Sequence, residues 1–383
     1  MMNRENTTRE EEFIHPARFK REEEELYLAS QWQLMWWKFK EHKAAMASAI
    51  VIILLYIIAI FAEFFAPFDP MRRAPKYIQA PPQKIHFIDK EGFHLRPFVY
   101  DMKGTIDRDT MTRVYEIDKS YRYRVYFFVR GDEYKLWNLF KCDLHLFGTK
   151  QGTALYLFGT DGLGRDMLSR IIYGARISLS IGLVGVFLSL ILGLILGGIA
   201  GYFGGVVDSA IQRLSEVVRS FPTIPLWLGL SAALPPDWPP LRIYFGITVI
   251  LSLSGWTGLA RQARGKILSL KTEDFVLAAR FSGASTARVI GAHLIPSFMS
   301  HIIATLTLAI PYMILGETAL SFLGIGLRDP VVSWGVLLQR AQNIHTIANN
   351  PWLLLPGVCV IVTILCFNFV GDGLRDAADP YSR

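Results

Sequence analysis

Apolar residues fall into blocks separated by polar or charged stretches. The blocks are Ala44 to Phe65, Ile177 to Ala200, Val207 to Leu234, Ile243 to Ala260, Phe298 to Ala319 and Trp352 to Val370. Each is close to the roughly 20 residues that a helix needs to cross the hydrocarbon core of a bilayer. The pattern predicts six membrane spans. Gly193, Gly197 and Gly198 in the second permit close helix packing, and Pro222 and Pro225 loosen the third where it enters the core.

The stretch between the first two spans has a different period. From Met71 to Phe158 charges are dispersed and no long apolar run occurs. Lys84 to Ile88 and Phe93 to Tyr100 flank Asp89-Lys90-Glu91-Gly92, while Tyr121 to Val129 and Tyr134 to Phe140 flank Arg130-Gly131-Asp132-Glu133. Alternation around polar, Gly-containing turns predicts two β-hairpins. A tract this long should be folded, and its aromatic residues serve either as core or as a docking surface. Ahead of the first span, Glu10 to Glu12 and Glu22 to Glu25 mark a polar tail, expected to be partly disordered and unlike a cleaved signal sequence. Trp32, Leu34, Met35, Trp36, Trp37 and Phe39, interleaved with Lys38, Lys40 and Lys43, predict an amphipathic helix in the headgroup layer.

Charge sets the orientation. Lys38, Lys40 and Lys43 precede the first span and Asp69 follows it, while Arg261, Arg264, Lys266 and Lys271 follow the fourth. Basic residues favour the cytosolic side. Both termini and the segment 261–296 are therefore expected in the cytosol, and residues 66–158 outside. The expected organisation is a tail and interfacial helix over 1–43, a first span over 44–65, a β-rich extracytoplasmic insert over 66–158, and a helical core over 159–383.

Composition agrees: the 383 residues are 51% hydrophobic with mean hydropathy +0.29, as in a polytopic helical membrane protein. The net charge of +7 and pI near 9.2 come from basic residues beside apolar blocks, where topology accounts for them without nucleic acid. Cys142 lacks an evident partner, and Cys359 and Cys366 share one face of an apolar helix as small packing residues. Gly265-Lys266 is followed by Ile267, so the Ser/Thr that ends a phosphate-binding loop is missing and no ATPase motif is present. There is no HExxH, no Gly-x-Ser-x-Gly and no visible inverted repeat, which argues against a membrane enzyme or a secondary transporter. A stand-alone channel is the less favoured alternative.

The polar stretch TEDFVLAARFSGASTARVIGAHLIPS, Thr272 to Ser297, lies between the fourth and fifth spans. Phe275, Val276 and Ala279 can share one face of a short helix, and Gly283 marks a turn before a second. It reads either as an ordinary connection or as a surface that another backbone approaches closely. Leu277, Ala278, Ala279, Gly283, His293, Leu294, Ile295 and Pro296 fill the spacing of the EAA loop of ABC-importer permeases, which this stretch resembles. Leu277 replaces the family's Glu. By that resemblance, Asp274, Leu277, Ala278, Ala279, Gly283, His293, Ile295 and Pro296 would couple to an ATPase.

A second motif, GTDGLGRDMLSRIIYGARISLSIG, is similar to the segment leading into the second span of dipeptide and oligopeptide importer permeases. It contains Gly159, Thr160, Asp161, Gly164, Arg165, Asp166 and Arg176. Asp161 and Asp166 can cap a helix whose Arg165, Arg170 and Arg176 lie at an interface. Glu317 to Leu338, with Ser-Phe-Leu-Gly and Ser-Trp-Gly, and Gly371 to Pro380 resemble further segments of that family. Arg213, Glu216, Arg219 and Glu317 are candidates for gating, the first three equally readable as an interfacial charged turn.

The resemblance implies an all-α polytopic protein of the type I ABC importer permease kind, with six transmembrane helices and a β-rich insert between the first two. It implies one of two permease subunits of a binding-protein-dependent importer of oligopeptides, with oligosaccharides as the alternative. The partners would be a second permease forming a heterodimer, two ATPase subunits, an extracytoplasmic solute-binding protein and the bilayer. ATP and Mg would be used by the partner subunits, with no cofactor or metal on this chain. The setting would be a bacterial or archaeal inner membrane.

Overall fold

Lys43–Ile60 carries no charged residue after its first position and forms one apolar helix, α2, in which only Ala45, Ser48 and Ala59 are buried. The computed structural model describes residues 29–89, 92–106, 108, 113–137, 139–150 and 155–378. The acidic tail segments and the last residues of the C-terminal signature lie outside them. Before α2 stands the amphipathic α1, Gln31–Glu41, closed at its start by a reciprocal capping pair of Ser30 and Gln33. After α2, the short turn Ala62–Phe65 leads to the insert. The core helices are α3, Met167–Phe203; α4, Gly205–Ser220; α5, Thr223–Ala232; α6, Pro240–Leu270; α7, Asp274–Phe281; α8, Met299–Phe322; α9, Trp334–Gln339; α10, Ile344–Asn349; and α11, Leu355–Ala378.

Among the described residues, five helices are long and apolar enough to cross a membrane: α2, α3, α6, α8 and the stretch Pro351–Ala378 ending in α11. The expected third span is not one helix. Phe221 is extended and Pro222 supplies no amide hydrogen, so Val207 to Leu234 divides into the amphipathic α4 and the ten-residue apolar α5. Conversely, α3 begins ten residues before the predicted Ile177. Asp166 caps it by accepting from the Ser169 amide at 2.7 Å, and the arginines of its first turns are paired inside the protein.

Helices α3 and α6 run parallel. Tyr244 Oη donates to Ser180 Oγ at 3.0 Å, Ser189 Oγ donates to the Ser252 carbonyl at 3.1 Å, and Gly197 lies against Ala260. A Cβ on Gly197 would come within 2.4 Å of the Ala260 carbonyl oxygen, so only a hydrogen there lets the two backbones approach. Antiparallel to them, α8 sets Glu317 beside Ser178 and Thr305 beside Gln262. Leu179, Ile181, Val186, Trp227, Leu251, Met313 and Ile314 fill the common core. These pairings give the bundle two ends. One holds the start of α2 and the ends of α3, α6 and α11; the other holds the end of α2 and the starts of α3, α6 and α11.

The insert packs at the second end as an antiparallel sheet of order β1-β2-β3-β4, namely His86–Asp89, Gly92–Ile106, Arg113–Leu136 and Phe140–Thr149. The turn expected around residues 89–92 lies where β1 meets β2. The turn expected at Arg130 to Glu133 does not exist. Those residues continue β3 through a register shift, and the chain reverses after the Leu136–Phe140 pair instead. A bulge absorbs the polar Gly-containing run because both flanking segments pair with the same strand. Phe68, Tyr77, Val99, Met102, Val125, Leu155 and Tyr156 form the core between the sheet and its stem, the segments 66–85 and 155–158 that lead into and out of it.

Candidate functional site

At the first end of the bundle, Lys271 closes α6 and the chain turns into α7. Val276, Val289, Leu294 and Phe298 are buried with Ala263, Ile267 and Ile302, so the loop is seated on the ends of α6 and α8. Val276 faces inward and Phe275 outward; the single face expected for both is split because adjacent helical residues point about 100° apart. Gly283 ends α7 at φ 83°. Its amide donates to the Arg280 carbonyl at 3.0 Å and the Ala284 amide to that of Ala279 at 3.1 Å, the paired bonds of a Schellman cap. The turn is open: no atom of another part of the chain lies within 4 Å of where a Cβ would sit, so the need for glycine within this chain is conformational.

The outward surface of this shelf combines small residues with the charged Glu273, Arg280 and Arg288 and the aromatic Phe275. Asp274, Ala278, Gly283, Gly291, Ala292 and Pro296 are exposed, whereas Leu277, Ala279, His293 and Ile295 are half-buried. Phe281 stands out at 88% exposure beside the glycine turn. Sequence reasoning passed over it; the available signal was a large apolar residue directly before a predicted turn between polar neighbours.

The second motif lies at the opposite end and forms a clasp. Thr160 bridges Asp166, and the loop between them is bonded to the insert stem: Thr160 N donates to Ala80 O at 2.9 Å, Gln79 N to Asp161 O at 3.0 Å and Ala74 N to Gly164 O at 3.2 Å. Trp352 Nε1 donates to Thr160 O at 3.0 Å, which ties in the lead-in to α11. Gly159 and Gly164 both have positive φ there.

Arg165 and Arg170 are not interfacial, as expected from their spacing, but buried. Asp161 accepts from Arg165 Nε at 2.7 Å, from Arg170, and from the amides of Leu163 and Arg165 at 2.8 and 3.0 Å. Asp329, in the loop after α8, accepts from Arg170 Nη2 at 3.1 Å and from Arg340 at 2.6 Å. Asp329 lies within the segment Glu317 to Leu338, where sequence reasoning gave it no role of its own. Burial alone would raise the Asp329 carboxyl, but the Arg340 hydrogen bond and the fields of Arg165 and Arg170 hold it below the ordinary carboxylate range. Arg176 binds Glu63 through both terminal nitrogens at 2.7 and 2.6 Å and donates to the Ala59 and Ile60 carbonyls, so it caps the end of α2.

The gating candidates divide. Glu317 is fully buried and accepts from Ser178, Ser321 and Ser333 hydroxyls at 3.2, 2.8 and 2.7 Å. It thereby joins α3, α8 and the start of α9, where Ser333 also caps α9 and Ser178 accepts from the Trp334 amide. Arg213 and Glu216 pair at 2.9 Å on the exposed face of α4, and Arg219 is exposed nearby, without a described bond to Glu216. A pair missed in sequence, Asp208 with Arg264 at 2.5 Å through two bonds, joins α4 to α6. Among the described residues, no cluster of His, Cys, Asp and Glu could hold a metal.

Residues 189–383 match the family of binding-protein-dependent transport system inner membrane components. Residues 30–82 match the N-terminal TM domain of oligopeptide transport permease C. The dipeptide transport system permease protein DppC of Bacillus subtilis (strain 168) is 39% identical over 233 residues, covering 60% of this chain and 70% of that protein. The oligopeptide transport system permease protein OppC of the same organism is 35% identical over 252 residues, covering 66% and 78%. OppC of Escherichia coli (strain K12) is 40% identical over 234 residues, covering 60% and 73%. With apolar helices long enough to span a bilayer and a match over half its length, this chain belongs to the binding-protein-dependent transport system inner membrane components, among permeases of the DppC/OppC type.

Proposed function

We propose that this chain is one of two permease subunits through which an ATP-driven importer passes oligopeptides from a binding protein across the membrane. The shelf around the Gly283 turn carries the reading. Exposed backbone and Cβ atoms offer close approach to a partner, Phe281 offers an apolar anchor, and the buried Val276 cluster makes the shelf move as one body with α6 and α8. In this reading the shelf is cytosolic and docks one of two ATPase subunits, which bind the ATP and Mg. The second permease completes a heterodimer. Reconstitution with these subunits and the binding protein is expected to yield ATP-dependent uptake of labelled oligopeptides. Uptake of oligosaccharides only, or uptake by the isolated chain without ATPase, would refute the proposal.

The third crossing is then made by two helices in series. Asp208 meets Arg264 at one level of α6, and Leu234 packs on Gly246 at another. Those α6 positions are 18 residues apart, about 27 Å along a helix, close to the roughly 30 Å of a hydrocarbon core. Because α3 and α6 are parallel, the α4–α5 segment has to return over that distance. In this reading, with six crossings, both termini lie on the shelf's side, in the cytosol, and the sheet lies outside.

Cysteine labelling tests the sidedness, after replacement of the three native cysteines. Leu95, exposed on β2, suits a label better than Gly131, where a Cβ would meet His145 at 2.7 Å. Leu95→Cys is expected to react with an impermeant maleimide on intact cells, and Thr272→Cys only after permeabilisation. The reverse pattern would invert the topology.

A further inference from the structure

The β3–β4 hairpin carries an apolar tip that the sheet leaves uncovered. Trp137, Leu139 and Phe140 are exposed there, Leu139 by 74%, and Phe127 and Phe128 are exposed further back along β3. An apolar group of this kind marks an interaction surface. Its position is set by the end of α2. Trp137 Nε1 donates to the Ile60 carbonyl at 2.9 Å, and its ring lies 5.4 Å from that of Phe61. Phe128 approaches Phe64 at 6.3 Å between centroids. Phe128 and Trp137, which reach this turn, both hold positive φ, 53° and 50°. That conformation is unfavourable for aromatic residues.

Ile60 also marks a boundary. Arg176 donates to the same carbonyl at 3.0 Å, and beyond Arg176 the stretch Ile177 to Phe203 of α3 holds no charged residue. Along α2, Ile50, Ile53, Leu54, Ile57 and Ile60 are exposed, as in a helix that faces lipid. The hairpin tip therefore sits where the apolar belt of the protein ends, continuous with its lipid-facing side. At the other end of α2, α1 packs Met35 and Phe39 against the end of α11 and leaves Trp36 and Trp37 exposed. The 18 residues of α2 separate the two groups by about 27 Å, close to the thickness of a hydrocarbon core. Tryptophans at both edges of a span are the pattern of interfacial anchors.

Charge beside the tip fits the same partner. Lys135 and Lys141 are exposed and directly opposite one another in the sheet register. Opposed like charges destabilise a hairpin in water, whereas lipid phosphates would neutralise both.

We infer that the β3–β4 tip is a lipid anchor: Trp137, Leu139 and Phe140 enter the headgroup layer beside α2, and Lys135 and Lys141 bind lipid phosphates. The insert is thus held to the bilayer as well as to the clasp. This goes beyond the transport reading and is independent of the solute.

The test uses the complete transporter in phospholipid nanodiscs, with the native cysteines replaced and an environment-sensitive fluorophore on Leu139→Cys or, separately, Phe140→Cys. A label on Glu116→Cys, exposed near the start of β3, is the reference. Lipids carrying a shallow nitroxide are expected to quench positions 139 and 140 severalfold more than position 116, and aqueous iodide to do the reverse. Adding Lys135→Glu and Lys141→Glu should lower the lipid quenching severalfold; no change would overturn the phosphate contact. Iodide quenching at 139 and 140 equal to that at 116 would put the tip in water and overturn the anchor. Protection from both quenchers would place it against another subunit and overturn it equally.

Discussion

Replacing Arg170 by Met is expected to destabilise the protein by about 3–5 kcal/mol, the usual effect of removing one member of a buried ion pair. Arg170 is 1% exposed and bridges two carboxylates on different segments, Asp161 in the clasp and Asp329 after α8. Methionine fills the space but leaves Asp161 buried with Arg165 alone and frees the loop that carries Asp329. The detergent-solubilised complex should show a lowered melting temperature and a smaller assembled fraction on size-exclusion chromatography. Arg340→Met is the internal control. Its side chain is half exposed on the outer side of Asp329, and an exposed pair contributes about 1 kcal/mol or less. Combining Arg170→Met with Asp161→Asn should cost less than the sum of the two alone, since the second change removes the charge that the first stranded. Equal effects of Arg170→Met and Arg340→Met would show that the network is not a buried clasp.

Gly283→Val is expected to uncouple uptake from hydrolysis while leaving the membrane bundle folded. At φ 83° a β-branched residue meets its own backbone, and left-handed geometry costs an L-residue about 1–2 kcal/mol. The surroundings are open, so nothing else in the chain has to move. The strain is relieved by opening the Schellman turn, which displaces Phe281 at the end of α7 while the buried Val276 keeps the helix seated. A shift of about 1.4 kcal/mol in the population of the docked shelf corresponds to a tenfold change, and uptake per ATP hydrolysed should fall on that scale. Gly283→Asn, which tolerates left-handed geometry, should retain most coupling. Normal uptake and normal stimulated hydrolysis in the valine variant would remove the shelf from the coupling path.

Some of this was legible in the residues because it depends on local rules. Bilayer thickness sets the length of an apolar helix, so α2, α6, α8 and α11 were visible as blocks. Asp166 stands directly before a helical run and caps it, a relation that spans three residues. Gly283 after a short amphipathic stretch identified the turn, and the run 89–92 the first hairpin. The spacing of Leu277, Ala278, Ala279 and Gly283, and the dense motif from Gly159, carried the family.

What only the tertiary structure decided depends on partners far away in sequence. Arg165 and Arg170 read as interfacial because Asp161 read as a helix cap; folded, Asp161 accepts from both arginines, and Asp329, more than 150 residues later, adds the second carboxylate that joins them to the loop after α8. The run Arg130 to Glu133 reads as a turn on composition, yet pairing with β4 on both sides carries it through as a bulge. The third apolar block read as one helix loosened at Pro222 and Pro225; the fold breaks it at Pro222 into two, which return in series between the parallel α3 and α6. Hydropathy and capping act within a few residues and can be read along the chain. Burial of a charge, strand register and helix direction are set by contacts that exist only once the chain has folded back on itself.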